Sequence, residues 1–85
     1  MNDKSASLTR AGALRERYGE LLTLAELAQL FRYPSNQALL KARARGQLSI
    51  PLIKFPNRRG WFASARMVAE YLDRIEAEDL EKQAN

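Results

Sequence analysis

Between Leu27 and Ala69 the chain carries Arg32, Lys41, Arg43, Arg45, Lys54, Arg58, Arg59 and Arg66 and not one carboxylate. Eight cations with no competing anion are the pattern a polyanion selects. The flanks differ: residues 1–26 balance four cations against four carboxylates, and residues 70–85 set two cations against six carboxylates, so the whole chain carries only +4. A surface charged for solubility alone mixes its signs, as these flanks do, so the signal lies in the middle segment rather than in the total. Other chemistry is closed off by composition. With no Cys and no His, a structural zinc site and the Cys-His and Ser-His-Asp forms of nucleophilic catalysis are not expected. No glycine-rich phosphate loop, pocketed carboxylate pair or Lys-activated Ser emerges either, so the chain reads as a binding protein without cofactor or metal, and not as an enzyme.

The elements that position these cations have to come from one small domain, because the chain has 85 residues, 46% of them hydrophobic and 28% charged. A core of that size contributes modest stability, which leaves association with itself or with a ligand as the natural supplement. The opening MNDKSASLTR has no apolar signal region, and no uncharged stretch approaches the roughly 20 residues of a membrane helix, so a cytoplasmic, nucleoid-associated protein is expected.

Ser7 to Tyr18 spaces Leu8, Ala11, Leu14 and Tyr18 as one face of a helix that ends at Gly19. Thr23 and Glu26 have capping-box spacing and open a second helix from Leu24 to Phe31; the cap accounts for both residues without any catalytic role. Tyr33-Pro34 breaks that helix and Ser35 caps the next, which runs from Asn36 to Arg45 and stops at Gly46. Two short helices about four residues apart form a helix-turn-helix, whose second helix is the one offered to DNA. Ser49 to Phe55 and Trp61 to Ala63 then read as two strands around the basic turn Pro56-Asn57-Arg58-Arg59-Gly60, a wing. Ser64 caps a last helix from Ala65 to about Lys82, with Val68, Leu72, Ile75 and Leu80 on its apolar face, Met67 and Tyr71 beside it, and an acidic second half.

The order of these motifs resembles a known family. Leu22-Thr23-Leu24-Ala25-Glu26-Leu27-Ala28, the Gly46-Gln47-Leu48 step leading to Pro51, the basic hairpin and Val68-Ala69-Glu70-Tyr71-Leu72 look like the AlpA-like phage regulators and excisionases, which are similar to the DNA-binding head of MerR-type regulators. Pyocin-activator proteins are similar more distantly. The resemblance spans residues 22–74 and implies a mainly α fold with a small β-hairpin: a compact winged helix-turn-helix, here with an extra N-terminal helix and a long C-terminal helix. Residues 1–19 would be an extension, 20–75 the DNA-binding domain and 76–85 an acidic helix end and tail. The implied function is sequence-specific double-stranded DNA binding in a bacterial mobile element, as a transcriptional regulator or as an excisionase that bends DNA for a recombinase. A recombinase or RNA polymerase would be the protein partner. A protein-interaction module without DNA binding is the reading from another class. The second helix departs from the family in having Leu40 and Arg43 where an aromatic and a branched residue are usual, so its base-reading residues have to come from its own geometry.

At about 100° per residue, Leu39 and Ala42 face inward, which turns Gln37, Lys41 and Ala44 outward and sets Arg45 and Leu40 beside that stripe. Ser35, Asn36 and Gln37 lie at the helix start, the part that enters a major groove. Asn36 and Gln37 are the candidate base readers, since carboxamides bond adenine in bidentate fashion. Lys41 and Arg45 are assigned to phosphate, and Arg43 suits a structural or an edge role equally. In the wing, Lys54, Asn57, Arg58 and Arg59 are candidates for minor-groove or phosphate contact. Phe55, Trp61 and Phe62 have the chemistry to stack on single-stranded bases, but aromatics beside a small sheet more often pack onto helices, and core packing is expected of them and of Tyr71. A single module of this size implies a homo-oligomer or cooperative assembly on DNA, for which Leu8, Leu14 and Tyr18 and the acidic helix end offer contacts.

Overall fold

The computed structural model describes residues 9–84. In chain order these form α1 (Arg10–Tyr18), β1 (Leu21–Thr23), α2 (Leu24–Leu30), α3 (Asn36–Ala44), β2 (Phe62–Ser64) and α4 (Ala65–Ala84). Each helix start is fixed by a hydroxyl. The Thr9, Thr23, Ser35 and Ser64 side chains accept from the amides of Gly12, Glu26, Ala38 and Met67 at 2.9–3.1 Å, satisfying donors that a helix leaves unpaired. At α2 the box is complete, because Glu26 Oε1 also accepts from the Thr23 amide at 2.9 Å.

The fold is a winged helix-turn-helix, mainly helical with one small antiparallel sheet. Five fully buried side chains come from five different segments: Leu22 of β1, Leu27 of α2, Leu39 of α3, Ile50 of the loop after α3 and Val68 of α4. One core therefore ties α3 to the rest of the chain. No polar or charged side chain among the described residues is buried in it. The fourth helix starts as β2 ends, and its first half packs inward through Ala65, Val68 and Ala69.

Two features depart from the sequence reading. The regular partner of β2 is β1, in the register Leu21–Ser64, Leu22–Ala63 and Thr23–Phe62. The expected hairpin reduces to a single bridge, in which Ile53 and Phe62 exchange amide hydrogen bonds of 2.6 and 2.9 Å. Pro51 and Pro56 bracket that bridge and donate no hydrogen bond, so a ladder cannot extend along residues 49–55. Pairing with β1 also puts Leu22 and Ala63, both fully buried, on the core face.

The first helix is likewise integral rather than accessory. It packs along α4, with Leu14 buried in the shared core and Ala11 and Tyr18 half-buried against it. Arg10 spans the helix pair, its two terminal nitrogens 2.7 Å from Asp73 Oδ1 and 2.6 Å from Glu76 Oε2. The apolar stripe expected to serve self-association is thus spent within the monomer at Leu14 and Tyr18; Leu8 lies outside the described residues.

Candidate nucleic-acid interface

The second helix of the motif is built to present one face. Leu39 and Ala42 are buried and Leu40 is half-buried, so Asn36, Gln37, Lys41, Ala44 and Arg45 stand exposed, as does the capping Ser35. Arg43 takes the structural role of its two alternatives: its Nε donates to the Ile50 carbonyl at 3.2 Å, strapping the loop after α3 to the helix.

The wing has its own aromatic support. Phe55 and Phe62 meet edge to face with centroids 5.6 Å apart, and the Arg58 guanidinium lies 5.4 and 5.7 Å from the two rings. Lys54 Nζ sits 5.5 Å from the Trp61 ring centroid. Two of the expected wing cations are therefore held over rings, where the quadrupole attracts them without neutralising their charge. Asn57 and Arg59 are exposed in the turn between. The expectation that all three wing aromatics enter the core does not hold. Phe55 and Phe62 are half-buried against each other, and Trp61 is 39% exposed. Four helices and a two-stranded sheet already fill the core with aliphatic side chains, which leaves the wing rings outside it. Tyr71 does pack inward, edge to face with Phe31 at 5.9 Å.

Helix and wing meet at a shallow recess of about 260 Å³. Asn36 from the start of α3 and Arg59 and Trp61 from the wing line it, with Thr23, Leu24 and Ala25 from the start of α2. Asn36 and Arg59 were expected from the sequence; Trp61 and the α2 start were not. Gly60, with φ +86°, precedes Trp61 and lets the chain turn there. Gln37, Lys41 and Arg45 remain on α3 outside the recess, and Lys54 and Arg58 stay with their rings.

All eight cations of the middle segment are exposed. Of these, Arg66 has a carboxylate partner, Glu70 at 3.7 Å one turn along α4. The other ion pairs among the described residues, Arg10 with Asp73 and Glu76 and Arg15 with Glu20, join residues of the flanks. Lys41, Arg45, Lys54, Arg58 and Arg59 thus have no carboxylate partner among the described residues. No known protein family, curated protein or solved structure matches this chain.

Proposed function

We propose that this chain is a sequence-specific double-stranded DNA-binding protein of a bacterial mobile element, acting on transcription, with α3 in the major groove and the wing on the adjacent backbone or minor groove. One observation carries the reading: Asn36 of α3 and Arg59 of the wing line a single recess, in a segment whose exposed cations, apart from Arg66, have no carboxylate partner among the described residues. Phosphate contacts supply affinity and base contacts supply choice, and both kinds of group stand together here. A regulator and a DNA-bending excisionase share this surface; promoter reporters and an excision assay separate them, because the second needs an integrase. The decisive experiment is footprinting on DNA flanking the gene. A protected, repeated sequence supports the reading, and protection that spreads evenly over all DNA defeats it.

A second reading, a protein-interaction module, rests on the far half of α4. There Ile75 and Leu80 are 41% and 64% exposed and line a groove with Glu76 and Asp79. Capture of a partner that resists salt, together with no shift of any DNA, would favour it. No helix among the described residues is long and apolar enough to cross a membrane.

A further inference from the structure

We propose that the recess between α3 and the wing reads one A·T base pair, with the Asn36 carboxamide on the adenine edge and the apolar wall of Ala25, Leu24 and Trp61 around the thymine 5-methyl group. This inference rests on the DNA-binding reading and adds the base pair that reading leaves open. In the major groove an A·T pair displays adenine N7 and N6 beside thymine O4 and the methyl, and no other pair puts a methyl there. A carboxamide matches the adenine edge by donating to N7 and accepting from N6. The recess sets such a group beside apolar surface: Leu24 is half-buried, Ala25 is exposed, and the Thr23 hydroxyl is engaged by the Glu26 amide.

Trp61 is 39% exposed at this recess. Lys54 Nζ lies 5.5 Å from the Trp61 ring centroid and engages one of the ring's two faces. Thr23, Leu24, Ala25, Asn36 and Arg59 line the recess with Trp61, as does Phe62, whose ring is engaged with Phe55 and Arg58. Beside Leu24 and Ala25, the Trp61 indole offers apolar contact to a small group. Arg59, at the same recess, is the cation placed to hold the flanking phosphate while Asn36 addresses the base.

The test uses the full chain and a duplex selected from a random pool. Each thymine of that duplex is replaced in turn by deoxyuridine, which removes the methyl and keeps the pairing, and affinity is read by anisotropy of the labelled duplex. Burying one methyl contributes about 0.8 kcal/mol, so one thymine per site should weaken binding about fourfold when replaced. In Trp61→Ala the same replacement should change nothing, while Asn36→Ala should lower affinity for the intact duplex. Trp61 is the chain's single tryptophan, so its emission should also change on binding. Selective binding with every deoxyuridine duplex as tight as the parent would overturn the methyl site and leave DNA binding standing. The same holds if Trp61→Ala, melting with the parent protein, keeps the full deoxyuridine effect. A pool that yields no enriched duplex defeats the DNA reading and this inference together.

Discussion

Arg32 and Gly46 occupy the same place at the ends of α2 and α3. Both have left-handed backbones, φ +62° and +78°. Around Arg32 the Tyr33 amide donates to the Ala28 carbonyl at 2.8 Å and the Arg32 amide to Gln29 at 3.2 Å; around Gly46 the Gln47 amide donates to Ala42 at 2.9 Å and the Gly46 amide to Arg43 at 3.0 Å. This is one helix-closing motif used twice, once with its usual glycine and once with a residue that carries a Cβ. A left-handed backbone costs such a residue roughly 1–2 kcal/mol. Arg32→Gly should therefore stabilise the fold by about 0.5–1 kcal/mol, after the extra chain entropy of glycine is set against the relief. Gly46→Arg should destabilise it by about 1–2 kcal/mol through φ alone, since a Cβ there meets nothing within 4 Å. Urea melts of the two variants check both signs.

Local chemistry made the helices legible. Thr23 with Glu26, Ser35 and Ser64 announce helix starts because their bonds reach only three residues along the chain, and Gly46 announces an end. The inward Leu39 and Ala42 followed from helical period alone, and with them the outward Gln37, Lys41 and Ala44 with Arg45 beside them; Asn36 followed from its place at the helix start. What the chain order hid is set by residues far apart. The Leu21–Thr23 strand is three residues long and exists through a partner some forty residues away. The Arg10 fork to Asp73 and Glu76 has no local signature either. Arg32 hides its backbone because nothing in an arginine marks a left-handed position, and Trp61 hides its exposure because an aromatic next to a strand ordinarily turns inward.

Binding should depend steeply on salt. Lys41, Arg45, Lys54, Arg58 and Arg59 are exposed and have no carboxylate partner among the described residues, and each phosphate neutralised contributes about −0.9 to the slope of log K against log salt. Four to six contacts give a slope of roughly −4 to −5 per protomer. Titrations across a range of NaCl concentrations measure it, and a flat response would be fatal to the DNA reading.

Helix and wing should fail in different ways. Gln37→Ala is expected to cost about 1–3 kcal/mol on a selected site and little on random DNA, whereas Arg59→Ala should weaken both and lower the salt slope by about one. Arg58→Ala should do the same and also loosen the wing, because Arg58 covers the Phe55 and Phe62 rings. Equal losses on both DNAs for Gln37→Ala would show that this side chain does not read bases.

The first helix should behave as core. Leu14 is buried among residues of the shared cluster, so Leu14→Ala is expected to cost about 2–5 kcal/mol. Arg10→Ala removes a fork to two largely exposed carboxylates and should cost at most about 1 kcal/mol. Thermal melting of both variants tests the ranking, and a Leu14→Ala protein as stable as its parent would return α1 to the status of an extension.

Occupancy of adjacent sites should be cooperative, with the contact made by the far half of α4. One recognition helix and one wing bury about 600–1,000 Å² on DNA, an area that seldom gives tight and selective binding by itself. Neighbouring copies on repeated sites raise each other's effective concentration, so even a weak contact between them tightens binding. Leu14 and Tyr18 are consumed in the monomer, which moves the contact to Ile75 and Leu80, exposed beside Glu76 and Asp79 on a helix end that is acidic while the neighbour's middle segment is basic. Leu80→Lys should then abolish cooperativity and leave affinity for a single site unchanged, because Leu80 lies outside the core and the recess. The measurement is a titration of one site against two adjacent sites with both proteins. If the parent binds two sites with the same affinity per site as one, α4 makes no such contact.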